Sequence, residues 1–255
     1  MGKTVEAVKK SLEILLHIVN SSIPLGVSDI AKDMEMSVSN VFKHLKTLKE
    51  YGLILQNEEK RYLPGYRLID LGSIALKRFN LREVAHPNLV KLMLQTDQTV
   101  HLVIKEGNEG VYIEKLESAR SLPMLSRLGM RMPLFSTGFG KAILAFMPDS
   151  EVSKYLESVT FTKRTEHTIT DRQRFYEELK KTRDRKYSID DEENEVGIRC
   201  VGSAILNRSG YPIAGVSITG AARLITHEWI HLNARHVVQC AESVSIHLGW
   251  DPNKK

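Results

Sequence analysis

Between Val27 and Leu55 (VSDIAKDMEMSVSNVFKHLKTLKEYGLIL) the apolar residues fall at helical spacing twice, with only a tight turn between the two runs. Few supersecondary units besides a helix-turn-helix can accommodate that spacing. In the first run Ile30, Ala31 and Met34 form the inner stripe, and the small Ala31 lets a second helix cross closely. In the second, Val38, Val41, Leu45 and Leu48 share one face, which predicts that all four are buried. Ser28 and Ser37 stand where the two helices would start, so each is expected to cap its helix.

The far side of the second helix then follows from geometry. It carries Ser39, Asn40, Lys43, Lys46 and Thr47, with Phe42 and His44 on the flanks and no acidic residue between Ser37 and Lys49. Asn can bond two edge atoms of adenine, Ser and Thr adapt to several bases, and Lys reaches guanine or phosphate. Such a face suits the major groove of double-stranded DNA. An ordinary solvated helix face has the same polarity; the two cap positions, the small inner residue and the segment that follows favour the DNA reading. Gly52 ends the helix, residues 53–56 and 61–63 read as two short strands, and Asn57 to Lys60 make the tip between them. This is a wing, from which Lys60 and Arg61 would touch phosphate against the opposing charge of Glu58 and Glu59. Together with Ser28 and Ser37 at the helix starts, these residues are the candidate DNA contacts.

Bulk charge supports the reading only modestly. The chain has net charge +5, and residues 1–80 hold 12 Lys plus Arg against 9 Asp plus Glu, a net of +3. Affinity must therefore come from placement and from more than one copy of the reader. The 255 residues, 42% of them apolar, suffice for two packed domains. The N-terminal stretch Val5, Val8, Leu12, Leu15, Val19 is an amphipathic helix interrupted by Lys9, Lys10 and Glu13 rather than a secretion signal. No apolar run reaches membrane-spanning length, and Cys200 and Cys240 stand far apart without a paired-cysteine motif. A cytoplasmic protein without membrane contact, structural zinc or cofactor is expected.

Pro64-Gly65 ends the wing, and residues 66–80 (YRLIDLGSIALKRFN) resume as a helix with apolar residues on most sides, which predicts a linker buried between domains or subunits. Residues 83–96 form another helix. Beyond it two hairpins are expected, 100–105 with 110–116 and 199–206 with 212–219, each closed by a polar turn containing Gly. Helices near 138–146, 150–157, 172–186 and 227–248 would cover this sheet. The class is α+β: a winged helix-turn-helix at 1–65, a linker helix at 66–80 and a second domain at 81–255.

Three further segments carry a family likeness: MPLFSTGFGKAILAF (132–146), YSIDDEENEVGIRCVGSAIL (187–206) and AGVSITG (214–220). With the winged helix they make the chain resemble, nearly end to end, the IclR-type bacterial transcription regulators. The stretch 126–141 is most similar to the branch that senses sugar acids and related small carboxylates. The resemblance implies a GAF-like effector domain, a homodimer that pairs two winged helices, and often a tetramer. It also places Asp190, Cys200, Ser217 and Thr219 in an effector pocket. Lys43 and Asn40 depart from the residues common in the family's recognition helix, and so does Gly138-Phe139 in its helix-start segment.

The residues themselves allow the same chemistry. Ser136 or Thr137 can cap the helix that begins at Gly138, leaving backbone N–H groups for an anion, and Gly138 and Gly140 would let a carboxylate approach the backbone, with Phe139 narrowing the site or packing beneath it. A plain capped helix with small residues for packing is the equal alternative. Ser217 and Thr219 alternate onto one sheet face, Asp190 can accept from ligand hydroxyls, and Met124 and Met132 can form apolar wall. Cys200 is otherwise a small buried residue, and Asp191, Glu192, Glu193 and Glu195 read as a solvated acidic loop. Two other classes use the same residues. One is an enzyme with Cys200 as nucleophile and His101 or His167 as base, or with Ser136 in a hydrolytic role; the other is a metal sensor built from His101, Asp190 and Cys200. No catalytic motif ties these residues together. The reading is a regulator whose hold on operator DNA responds to a small organic acid.

Overall fold

The computed structural model describes residues 5–77, 80–119, 121 and 124–252, with backbone alone at 75–77 and 80. The chain divides into two compact units, Met1–Phe79 and Asn80–Lys255.

The first unit runs α1 (Glu6–Asn20), α2 (Val27–Asp33), α3 (Val38–Glu50), β1 (Ile54–Gln56), β2 (Tyr62–Pro64) and α4 (Arg67–Lys77). Ile14 and Ile18 of α1, Ile30 of α2, Val41 and Leu45 of α3 and Ile54 of β1 are at most 1% exposed and form its core. Ser37 caps α3 as expected, its hydroxyl accepting from the Asn40 N–H at 3.4 Å. Ser28 does not cap α2. That helix begins two residues earlier than a Ser28 cap requires, after Gly26, and the Asp29 carboxylate takes the Gly26 N–H at 3.1 Å. Val38 also departs from its predicted place and is 48% exposed. It is the first residue of α3, and the buried stripe begins one turn later at Val41. In α1 the buried face is Ile14, Leu15 and Ile18, which leaves Val5, Val8, Leu12, Leu16 and Val19 as an exposed apolar stripe. The wing pairs Ile54–Gln56 with Tyr62–Pro64 antiparallel, closed by Lys60 in the left-handed region. Leu68 of α4 packs on this core while Ile69, Leu71 and Ile74 stay exposed.

The second unit continues with α5 (Asn80–Thr96), β3 (Thr99–Glu106), β4 (Glu109–Leu116), β5 (Arg131–Pro133), α6 (Gly138–Phe146), α7 (Asp149–Ser158), α8 (Arg172–Arg185), β6 (Ser188–Asp191), β7 (Ile198–Leu206), β8 (Pro212–Ala221) and α9 (His227–His247). Six strands form one antiparallel sheet in the order β5-β4-β3-β8-β7-β6. Alternation along each strand sorts its residues to two faces. Val100 and Leu102 of β3, Val201 of β7 and Val216 and Ile218 of β8 pack with Leu89 and Leu92 of α5 and Val237 and Val244 of α9. The intervening residues, His101, Cys200, Gly202, Ser217 and Thr219, turn to the side covered by α6 and α8, where Val103, Tyr112, Phe139, Ile143 and Phe175 make a second core. The class is α+β, with an antiparallel sheet between two helical layers. Among the described residues no helix is long and apolar enough to cross a membrane.

The start of α6 touches β7 backbone to backbone. A Cβ on Gly202 would lie 2.4 Å from the Gly138 carbonyl carbon, and one on Gly140 would lie 2.2 Å from the Leu134 carbonyl oxygen. Close packing against backbone therefore requires glycine at 140 and 202, and leaves little room for a side chain at 138.

Candidate functional site

In the first unit Ser39, Asn40, Lys43, Lys46 and Thr47 are all exposed along α3, with no carboxylate among them. The candidates at the margins are held elsewhere. His44 is half-buried, its Nδ1 2.7 Å from the Ser11 hydroxyl of α1, so it braces α3 rather than joining the polar face. Arg61 turns back from the wing, donating to the Pro24 carbonyl at 3.2 Å and pairing with Asp29 at 3.5 Å, instead of projecting toward phosphate. Lys60 remains exposed at the tip, and Ser28 is exposed one residue into α2.

In the second unit a cavity of about 170 Å³ opens between the sheet and the start of α6. It is lined by nine of the ten sequence candidates: Met124, Met132, Thr137, Gly138, Phe139, Asp190, Cys200, Ser217 and Thr219. Ser136 is the exception; it is fully buried behind the wall, donating to Asn194 Oδ1 at 3.3 Å. Neither Ser136 nor Thr137 caps α6, since the Thr137 hydroxyl donates instead to the Pro133 carbonyl at 2.8 Å. The start of α6 therefore keeps its N–H groups without a side-chain cap. His101, Tyr112, Leu125, Ser126, Met130, Arg164, Asn194, Glu195 and Ile198 complete the lining. Of these, Ser126, Met130, Arg164 and Asn194 lie in loops whose sequence gives no sign of convergence.

A chain of polar contacts crosses the cavity. His101 Nε2 is 2.8 Å from the Ser126 hydroxyl and its Nδ1 is 3.4 Å from Thr219 Oγ1. The Thr219 hydroxyl donates to Cys200 Sγ at 3.3 Å. Burial and the nearby Lys115 ammonium push the His101 pKa down to about 3, so the ring is neutral. Every group is satisfied if Ser126 donates to His101 Nε2, the Nδ1–H donates to Thr219, Thr219 to the sulfur, and the thiol to Asp190. Asp190 sits opposite Cys200 in the sheet register and accepts the N–H groups of Glu193 and Asn194 at 2.9 and 3.3 Å. Burial raises its pKa to about 7, against the lowering effect of the Lys141 ammonium.

Behind Asp190 lies a charge pair that the sequence did not suggest. Lys141 of α6 is wholly buried, donating to the Ile189 carbonyl and pairing with the Glu193 carboxylate. Glu193 is 4% exposed, which corrects its assignment to a solvated loop. Asp191 and Glu192 are tied as well, both to Arg199.

The geometry does not serve the enzymatic alternative. Burial and the Asp190 carboxylate push the Cys200 thiol well above its ordinary pKa, disfavouring the thiolate that nucleophilic attack needs. Thr219 stands between Cys200 and His101, and His167 lines a different crevice. Among the described residues no three His, Cys, Asp or Glu side chains are grouped to hold a metal ion.

Comparison with known proteins bears on both units. A family model described as the C-terminal part of the bacterial transcriptional regulator IclR matches residues 73–246, and one for bacterial regulatory proteins of the arsR family matches residues 11–55. The chain is 35% identical over 216 residues to the HTH-type transcriptional regulator XynR of Escherichia coli, covering 84% of this chain and 86% of that protein. It is 31% identical over 253 residues to the HTH-type transcriptional regulator KdgR of the same organism, covering 98% and 96%. The crystal structure of the Thermotoga maritima IclR superposes with a TM-score of 0.85 at 48% identity, covering 96% of this chain and 99% of that one.

Proposed function

The chain belongs to the IclR family of bacterial transcription regulators, and from that membership we propose that it grips operator DNA as a homodimer through α3 and releases or tightens that grip when a small organic acid enters the cavity. The observation that carries this reading is the cavity's make-up. Apolar walls from Met124, Met130 and Met132 enclose a polar floor of Asp190, Ser217 and Thr219, beside the uncapped start of α6. Its volume of about 170 Å³ equals roughly six waters at ~30 Å³ each. A cavity of this size suits a small organic acid such as a sugar acid or ketoacid.

Pairing of two chains is supported by the apolar stripe of α1, where Val5, Val8, Leu12 and Leu16 are each more than half exposed, and by exposed Ile69 and Ile74 on α4. The linker role of residues 66–80, of which 78 and 79 lie outside the described residues, rests on exposed Ile69, Leu71 and Ile74. A regulator with a net of only +3 in residues 1–80 gains affinity by placing two readers about 34 Å apart, one helical turn of DNA, or a multiple of it. A small change in that spacing would alter binding steeply. Such a protein works in the cytoplasm, where its operator lies, and the pairing of dimers into a tetramer belongs to the same reading.

Asn40 tests the DNA half. Operator sequences selected in vitro by the full chain give a reference site, on which Asn40→Ala should lose about 1–3 kcal/mol, confined to one base position when single-base variants are compared. An equal loss on every sequence would show that Asn40 only positions the helix.

A further inference from the structure

The cavity would repel the ligand class proposed for it unless something compensates. Two carboxyl side chains line it, Asp190 and the exposed Glu195, so an incoming carboxylate meets the charge of Glu195 and, as pH rises through about 7, that of Asp190 as well. The buried and half-buried lysines nearby are already committed. Lys141 is paired with Glu193 behind the wall, and Lys115 donates to the carbonyls of Met124 and Ser126 at 2.9 and 2.8 Å and pairs with Glu117. Among the described residues, Arg164 is the one lysine or arginine of the lining.

Arg164 is held in place by the loop beneath it. Thr165 and Thr168 donate to the carbonyls of Glu192 and Glu193, each at 2.7 Å. Arg164 itself donates through Nε to the Asn194 carbonyl at 3.3 Å. Asn194 in turn accepts from Ser136, two residues before α6, and gives its N–H to Asp190. Arg164 is thereby tied at the exposed rim of the cavity, beside Asn194. Among the described residues its two terminal nitrogens make no hydrogen bond or ion pair, which leaves a planar fork matched to a carboxylate.

Resting on the organic-acid reading above, we propose that Arg164 is the residue that selects carboxylates, closing the cavity mouth over the acid group while Asp190, Ser217 and Thr219 hold the hydroxyl end. The cavity then discriminates an acid from its uncharged amide through this single side chain.

Calorimetric titration of the full chain with three matched pairs tests this: gluconate and gluconamide, glycolate and glycolamide, 4-hydroxybenzoate and 4-hydroxybenzamide. The wild-type chain should bind at least one acid more tightly than its amide. Arg164→Gln should weaken that acid by about tenfold or more and leave the amide unchanged, so that the preference collapses. Arg164→Lys should restore part of it. Ser217→Ala, which leaves the mouth intact, should weaken acid and amide alike. If Arg164→Gln keeps the wild-type preference while Ser217→Ala loses binding, Arg164 is not the selector although the cavity is the site. If the wild-type chain binds none of the acids, the organic-acid reading fails and this proposal with it.

Discussion

Lys141→Met should destabilise the second unit by about 3–5 kcal/mol, because it strands the nearly buried Glu193 carboxylate without its partner. Lys141 is wholly buried and Glu193 is 4% exposed. The ammonium also satisfies the Ile189 carbonyl, so one substitution leaves two buried acceptors short of a donor. Glu193 Oε2 already has no hydrogen-bond partner among the described residues, so the pair is not over-supplied. The double variant Lys141→Met with Glu193→Leu removes both charges and should recover most of the loss, since a buried pair replaced by apolar groups of similar volume is often neutral. Denaturant unfolding followed by circular dichroism reads both variants. A single variant as stable as wild type would mean that the pair is hydrated in solution.

Asp190 should make stability fall as pH rises. In the unfolded chain its carboxyl ionises near the ordinary 3.8, while in the folded protein burial holds it protonated up to about 7. The folded state thus binds the proton more tightly. The resulting stabilisation is complete below pH 3.8 and is lost progressively as pH climbs through 7. A separation of about three pH units corresponds to on the order of 4 kcal/mol. The charged and titratable groups facing Asp190 are Lys141 on α6, Glu193 in the following loop, Cys200 on β7 and Tyr112 on β4. Asp190→Asn keeps an oxygen for the two N–H groups and cannot ionise. Measured by denaturant unfolding from pH 5 to pH 8, the wild type should lose ground to the variant steadily. Parallel profiles would show that Asp190 is ionised throughout, with Lys141 dominating its surroundings.

Much of the fold was legible in the sequence because its signals are local. The stripe Val41, Leu45, Leu48 and the cap Ser37 define α3 within a dozen residues, and alternation along 212–219 is enough to put Ser217 and Thr219 on one face. What sequence reading missed depends on partners distant in the chain. Lys141 meets Glu193 across 52 positions, so an acidic loop looked solvated. Ser28 had the right chemistry for a cap, yet the helix starts two residues earlier than a Ser28 cap requires, with Gly26 at the cap position and Asp29 reaching back to its N–H. The strand Arg131–Pro133 is too short to show alternation and ends in proline, and Ser188–Asp191 holds a single large apolar residue. Arg164 reaches the cavity only because Thr165 and Thr168 tie its loop to residues 192–193.

Control of DNA binding from the cavity is the centre of the account, and one measurement reaches it directly. Fluorescence anisotropy would follow the full chain on its selected operator, with gluconate, glycolate and 4-hydroxybenzoate titrated in, for the wild type and for Ser217→Ala. Coupling of 1–3 kcal/mol between two sites is typical, so an effective acid should change wild-type operator affinity by about tenfold or more. Ser217→Ala should bind the operator as tightly as wild type without acid and respond little when it is added. An acid that shifts both proteins equally, or that never shifts the wild type, would contradict control through this cavity.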